Sequence, residues 1–444
     1  MGIFDWLFGK KKKDPYGGGG LSKDYGAPTP YTDMPRQYER PPDPASPRTH
    51  DTENREINLS FRQGRSKQPL APVRDQTIGP STHGRAGELD HLGGTRDNPD
   101  PFTDVQKLRS HGLPEVDSLD ALSDLVGASR GDLLFLAARA SWGRPAHYSI
   151  RQIAKKSGGT RLLMAPMPKL KAVQRALHRK LVEQLPVHEA AHGFRKGRDA
   201  LSAATPHVGK DVVISVDIEN FFPSFTFRRV AGYLRTLGYG RGVSVAIANL
   251  TTARLADGKF KEGSKWTPGH NLRHPDMAGR YNPELPQGAP TSPGLANAIC
   301  LRMDKRLDAL ARKFGATYTR YADDLTFSGY DDLAKSAGHL LQLVRQIVRT
   351  EGLRLNEKKT RIMRGGRQQR VTGVIVNSKT NIPRREYDTL KAILHNCIKH
   401  GPAGQNRENH PDFKEHLRGR IAHVSHVGPE RGRKLLRMFE QIRW

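Results

Sequence analysis

Thr317-Tyr318-Thr319-Arg320-Tyr321-Ala322-Asp323-Asp324-Leu325-Thr326-Phe327 is the stretch from which the fold follows. Strand-forming Thr, Tyr and Phe lie on both sides of a tight Ala322-Asp323-Asp324 tip, so the segment from Ala316 to Ser328 reads as a β-hairpin. Two adjacent carboxylates at such a tip repel each other and gain nothing from packing. A divalent cation removes that repulsion. A second acid-ended strand is Val212–Asp217, a β-branched run of the buried type followed at once by Ile218-Glu219-Asn220-Phe221-Phe222-Pro223-Ser224. If Asp217 meets Asp323 across neighbouring strands, the pair could hold two Mg2+ ions about 3.5–4 Å apart, as two-metal phosphoryl transfer requires. Asp331-Asp332, further along, is also an acidic pair but reads as a solvated loop or a helix N-terminus.

Outward from these acids the chain divides. Tyr148–Leu163 alternates apolar and polar residues around Ser157-Gly158-Gly159, a hairpin carrying Lys155, Lys156 and Arg161. Lys169–Leu185 and Leu333–Thr350 have helical periodicity, Pro286–Ser292 is a loop giving way to helix near Ala296, Val371–Val376 reads as a strand, and the text from Arg384 on is basic and helical. The first hundred or so residues, with Gly17-Gly18-Gly19-Gly20 and Arg40-Pro41-Pro42-Asp43-Pro44, hold almost no periodic apolar pattern and are expected to be disordered to about residue 105. Within them Met1–Lys13 sets Ile3, Phe4, Trp6, Leu7 and Phe8 before four lysines; it could touch an anionic membrane surface or a partner groove, or be the sticky end of a tail.

Composition narrows the function classes. In 444 residues, 73 Lys+Arg against 45 Asp+Glu leave a net charge of +28, which makes a polyanion, nucleic acid first, the expected partner. Cys300 and Cys397, outside any CxxC spacing, exclude a disulfide framework and a four-sulfur zinc site and suit a reducing compartment. No apolar run approaches the roughly 20 residues of a membrane span, and no signal peptide opens the chain, so integral-membrane and secreted readings fall away. His395, His400, His410, His416, His423 and His426 match no closed zinc site and are expected to be solvated or phosphate-facing.

Tyr321-Ala322-Asp323-Asp324, the Leu285–Pro293 stretch LPQGAPTSP and the Val216–Phe225 stretch VDIENFFPSF resemble, in order, the signature blocks of reverse transcriptases, most of all the bacterial retron type. The resemblance runs from about Tyr148 to the C-terminus. It implies an α+β right-hand polymerase with fingers, an antiparallel palm sheet carrying the acidic hairpin, and a helical thumb. The bounds are then an N-terminal extension over 1–105, N-terminal helices and fingers over 106–210, palm over 211–365, and an RNA-binding thumb region over 366–444.

It further implies that Asp217 and Asp323 ligate both Mg2+ ions and that Asp324 completes or orients the site. Phe222 is similar to the aromatic steric gate against a ribose 2′-hydroxyl, although Phe221 and Phe222 could equally be core aromatics. Lys155 or Lys156, with Arg161, would clamp the dNTP triphosphate, Gln287 would line the sugar and templating-base pocket, and Lys359 resembles a lysine that protonates departing pyrophosphate. For RNA recognition, Val371-Thr372-Gly373 matches the VTG element of retron enzymes, and Ala203-Ala204-Thr205-Pro206-His207 keeps the Ala and His of their Asn-Ala-x-x-His element while replacing the Asn. A retron enzyme would copy a structured noncoding RNA, primed from its 2′-hydroxyl, into branched DNA in the bacterial cytoplasm, with an effector protein encoded nearby and a role in antiphage defence. Another bacterial reverse transcriptase class (diversity-generating, abortive-infection or group II intron-like), or a non-catalytic RNA-binding scaffold, would keep the same fold.

Overall fold

The computed structural model describes residues 94–137, 147–154, 160–253, 258–260, 266–268 and 283–444. The chain before residue 94, Met1–Lys13 included, and the hairpin-tip residues Lys155 and Lys156 lie outside them. Residues 94–104, counted with the extension on composition, pack onto the body: Asp100 is buried, its amide donates to Asp117 O (2.8 Å), and its carboxylate accepts from Gly242 N at a helix start (3.0 Å). A single capping acid has no periodicity by which a sequence could announce it.

Three short helices open the body, α1 Val105–Ser110, α2 Leu119–Val126 and α3 Arg130–Ala137. The second shows how local chemistry sets bounds: the Ser118 hydroxyl accepts from Ala121 N at its start, and Gly127, at φ +67, stops it. The expected hairpin follows as β1 Tyr148–Ala154 and β2 Thr160–Pro166, paired from Tyr148↔Pro166 to Ala154↔Thr160. Then come α4 Pro168–Lys180, α5 Ala200–Ala204, β3 Val212–Asp217, α6 Phe227–Leu237, α7 Arg241–Thr251 and the small strands β4 Gly258–Phe260 and β5 Trp266–Pro268. The rest is α8 Ser292–Ile299, α9 Leu301–Lys313, β6 Thr317–Tyr321, β7 Asp324–Gly329, α10 Asp331–Thr350, β8 Arg361–Arg364, β9 Arg370–Val371, β10 Val374–Ile375, α11 Arg384–His400, α12 Phe413–Val427 and α13 Pro429–Glu440.

The centre is an antiparallel sheet in the order β6-β7-β3-β8. Alternation along each strand gives it two faces. Val212, Ile214 and Val216 of β3, Leu325 and Phe327 of β7 and Tyr318 of β6 share one face and enter the larger core, with Leu333, Leu340 and Val344 of α10 and Met303 and Leu307 of α9. Val213 of β3 and Met363 of β8 share the other face and join a second core with Ala204, Val371, Val376, Leu390, Leu417 and Leu435. Asp217, Asp324 and Tyr321 sit at the end of this second face.

The expected strand Val371–Val376 is instead a miniature hairpin, β9 and β10 closed by Thr372 and Gly373. Both central residues have positive φ, +48 and +93, the requirement of a two-residue type I′ turn, and the apolar run concealed that reversal. The basic C-terminal text forms α11 to α13; within it His410 stacks on His416 and Cys397 is buried. Among the described residues no helix is long and apolar enough to cross a membrane.

Candidate active site

The β6–β7 hairpin places the acids. Tyr321 and Asp324 are its closing pair, and Ala322-Asp323 forms the turn, with Ala322 at φ +57 in the left-handed region where two-residue turns favour glycine. Asp324 is the direct cross-strand partner of Asp217, and Ile218 N donates to Asp323 O (2.9 Å), which draws the turn onto the end of β3. Asp217 is buried, while Asp323 and Asp324 are half-buried. Burial first, then the charge of Asp217, pushes the Asp323 carboxyl above the ordinary range. Burial, Asp323 and Asp217 in that order do the same to Asp324. The carboxylates anticipated to repel one another do meet at this end of the sheet, and each raised pKa has a neighbouring acid among its causes.

Among the described residues two cations, Lys359 and Arg161, act on these acids. Asn356 N donates to Asp217 O (2.8 Å) and Ile218 bridges to Leu355, so residues 354–356 run beside the end of β3 and bring in the turn Glu357–Lys359. From there Lys359 Nζ donates to both carboxylate oxygens of Asp217, at 2.9 Å each. Arg345 grips Glu357 through two hydrogen bonds, 2.6 and 3.0 Å, and ties the turn to α10. Arg161, exposed on β2 opposite Ile153, is near enough for its charge to draw the Asp323 pKa partly back.

The Pro286–Pro293 loop is fastened to the β1–β2 hairpin. Met164 N donates to Gln287 O (2.8 Å), and Gly288, at φ +119, lies so close that a Cβ would meet Met164 O at 3.0 Å. Ser292 Oγ closes the loop on Pro286 O (2.8 Å). Gln287 itself is half-buried. Of the two adjacent aromatics, Phe221 is a core residue, edge-on to Phe225, and Phe222 is half-buried with its ring 6.2 Å from that of Phe194.

The residues expected to recognise RNA divide differently. His207 is fully buried, its ring bonded to Ser328 Oγ (2.6 Å) and Thr319 Oγ1 (2.7 Å), so it bridges β7 and β6 and cannot touch RNA with its ring. The sequence placed it in a recognition element without showing that this element lies beneath the sheet. Val371 is buried, Thr372 partly so, and Gly373 exposed. Thr372 Oγ1 donates to Ala200 O (2.7 Å), which joins the VTG turn to the helix leading into His207.

Burial pushes the His207 pKa down to about 3 from its ordinary 6.5, with smaller help from the charges of His192 and Lys210. The folded protein keeps the ring neutral where the unfolded chain protonates it. Stability therefore falls as pH drops below 6.5, by up to ~1.4 kcal/mol per unit, until the folded pKa is reached. Urea midpoints between pH 7 and 4 check this: His207→Gln should show a shallower loss than the wild type, and parallel slopes would remove His207 as the source.

Sequence reading missed a further set. Arg320 and Asp304 form an ion pair in which neither side chain is exposed, 2.6 Å at its shortest; Arg320 also reaches Asn297 and the carbonyl of Ala322. Gly193 packs under the turn, where a Cβ would meet Ala322 N at 2.7 Å, and Phe194, at φ +57, sets its ring beside those of Tyr321 and Phe222. Polar residues inside apolar periodic segments were the available signal, and a charged residue in a strand is more often solvent-facing.

Among the described residues no three His, Cys, Asp or Glu side chains are gathered so as to hold a metal ion by themselves. The acids form a facing pair and a turn residue rather than a closed cluster. Their oxygens are nonetheless the hard donors that magnesium takes, and their mutual repulsion is what a cation would relieve.

These acids stand at the end of an antiparallel sheet with Arg161 of the β1–β2 hairpin near enough for its charge to act on Asp323, and residues 153–376 match the model of the reverse transcriptase (RNA-dependent DNA polymerase) family. The chain is 39% identical over 351 residues to the retron Mx162 reverse transcriptase of Myxococcus xanthus, spanning 76% of this chain and 69% of that protein. It is 41% identical over 338 residues to the retron Mx65 enzyme of the same organism, spanning 76% and 75%, and 30% identical over 344 residues to the retron Ec86 reverse transcriptase of Escherichia coli, spanning 77% and 94%. The chain belongs to the retron reverse transcriptases, and is an RNA-directed DNA polymerase.

Proposed function

We propose that the enzyme copies a structured noncoding RNA into single-stranded DNA by two-metal nucleotidyl transfer, primed from a 2′-hydroxyl of that RNA so that the product is branched. The observation that carries the catalytic part is the cross-strand pairing of Asp217 with Asp324, Asp323 being drawn onto the same strand end. Asp217 and Asp323 would hold the ions, with Asp324 completing or orienting the set. When bound, Mg2+ lowers the pKa of the attacking hydroxyl and takes the charge developing on pyrophosphate.

The protein's own groups do the rest. Lys359 holds a proton within reach of Asp217 and is suited to deliver it to departing pyrophosphate. Arg161, with Lys155 or Lys156, would orient the triphosphate, and the Gln287 loop, anchored on β2, would shape the sugar and base pocket. Thr372 and Gly373 would meet the RNA at their turn, while His207 and Val371 support that surface from beneath. A basic C-terminal region suits phosphate and shape recognition of an RNA stem. We further infer a place in the bacterial cytoplasm and in antiphage defence beside a separately encoded effector.

Sequencing of RNase-treated nucleic acid from expressing cells tests the retron reading. A discrete, abundant single-stranded DNA mapping beside the gene is expected; its absence, with primer extension intact, would move the protein to another reverse transcriptase class. Loss of both would favour an RNA-binding scaffold. Phe222→Ala tests the steric gate: rNTP incorporation relative to dNTP should rise about tenfold to a hundredfold, since a lost steric exclusion of one hydroxyl is worth ~1–3 kcal/mol. Unchanged selectivity would return Phe222 to the core aromatics.

A further inference from the structure

We propose that Arg320 and Asn297 are positioning residues that aim the acidic turn, holding the carbonyl of Ala322 on one side and Gly193 against its amide on the other. The inference rests on the assignment of Asp323 to catalysis.

Arg320 lies on the sheet face that enters the larger core, beside Tyr318, Leu325 and Phe327, and none of its surface is exposed. Its guanidinium donates to both oxygens of Asp304, at 2.8 and 2.6 Å, to Asn297 Oδ1 at 2.8 Å and to Ala322 O at 3.2 Å. A buried ion pair is seldom more stabilising than apolar residues of the same volume, so packing alone does not call for these charges. An apolar pair could not grip a peptide carbonyl. That carbonyl belongs to a residue at φ +57, a conformation that costs an alanine energy and needs support. Fixing it fixes the peptide plane before Asp323 and hence the direction of its side chain.

The opposite side of the turn is held as well. Gly193 backs Ala322 N closely enough to exclude any Cβ, and Asn297 Nδ2 donates to Gly193 O at 2.7 Å. Backbone bonds from Arg320 N to Ala190 O (2.7 Å) and from His192 N to Arg320 O (2.8 Å) keep that segment alongside β6. One asparagine thus joins both restraints. It stands on α8, which starts at the Pro286–Pro293 loop, and that loop is bonded to Met164 of β2, the strand that also carries Arg161. A contiguous polar and backbone path runs from the triphosphate side to the acids, the kind of support on which precise orientation depends.

The test uses the full chain with Asn297→Ala, Arg320→Lys and the charge-neutral double variant Asp304→Asn/Arg320→Gln. Mn2+ binding to the protein alone is measured by electron paramagnetic resonance, kcat and KM by primer extension on an RNA template, and folding by circular dichroism and thermal melts. For folded Asn297→Ala and the double variant, kcat should fall about 10- to 100-fold and Mn2+ affinity about tenfold, with KM for dNTP within about twofold. Arg320→Lys keeps the charge but not the fork, so it should not rescue kcat. Should the double variant not fold, Asn297→Ala, which leaves the ion pair in place, decides alone. Melting points that fall while kcat and Mn2+ affinity per folded molecule stay within twofold would overturn the proposal. Asp323→Asn run in parallel separates the two ideas: if it stays active the catalytic assignment fails, whereas if it is inactive and the network variants are normal, only the positioning role falls.

Discussion

Asp323→Asn is expected to lower dNTP incorporation about a thousandfold or more, which corresponds to ~4 kcal/mol of lost transition-state stabilisation. The substitution keeps the shape of the side chain and leaves the turn backbone, including the bond from Ile218 N to Asp323 O, free to form. What it removes is a negative charge in a half-buried site, where charge interactions are weakly screened. The same change predicts a second result of opposite sign. Burial and Asp217 raise the Asp323 pKa in the folded state, so at neutral pH its ionised form is held at a cost that the unfolded chain does not bear. Without divalent cation, Asp323→Asn should therefore unfold at a higher urea concentration than the wild type, while no longer extending a primer. Activity within about tenfold of wild type would sink the assignment. Lost activity together with lost stability would point to a damaged fold instead.

Asp304→Ala should destabilise the protein by about 3–5 kcal/mol, read as a lower urea midpoint. Arg320 would then be left with its charge wholly buried and two of its hydrogen bonds gone, and Tyr318 OH would lose the acceptor it now reaches at 2.9 Å. In the native protein burial works against the guanidinium charge and the Asp304 carboxylate more than offsets it; the variant loses that offset, and the intrinsic basicity of a guanidinium still keeps the arginine from escaping by deprotonation. An apolar pair, Asp304→Leu with Arg320→Met, should recover most of the lost stability, because a buried ion pair and a packed hydrophobic pair are close in worth. It should not recover kcat if the Ala322 carbonyl needs its donor. A stability loss under about 1 kcal/mol for Asp304→Ala would mean that water reaches the pair.

The acidic hairpin and its facing strand were legible because short-range signals agree there: strand formers on both sides of a turn, and an acid ending a β-branched run. Motif order supplied the rest of the palm. What stayed hidden depends on distant contacts. His207 looked like a recognition residue because its motif was visible and the strands above it were not. Val371–Val376 looked like a strand because apolar residues flank a turn whose Thr372 has a positive φ that composition does not announce. Arg320 stood out only as a charge within a strand pattern, and nothing local tied it to its partner Asp304, which belongs to a separate helix.

Helix α5 is only five residues long, yet its capping residue Asp199 bonds His426 of α12 at 2.6 Å, Ala200 O receives the Thr372 hydroxyl, and Gly209 N, just beyond, donates to Val376 O at 3.0 Å. The C-terminal module is thus buttoned to a segment some two hundred positions upstream. Chimaeras that exchange this module between homologues at a single junction near residue 366 would separate matched halves of one fastening. A two-junction swap that carries residues 199–209 along with the C-terminal donor would keep it closed.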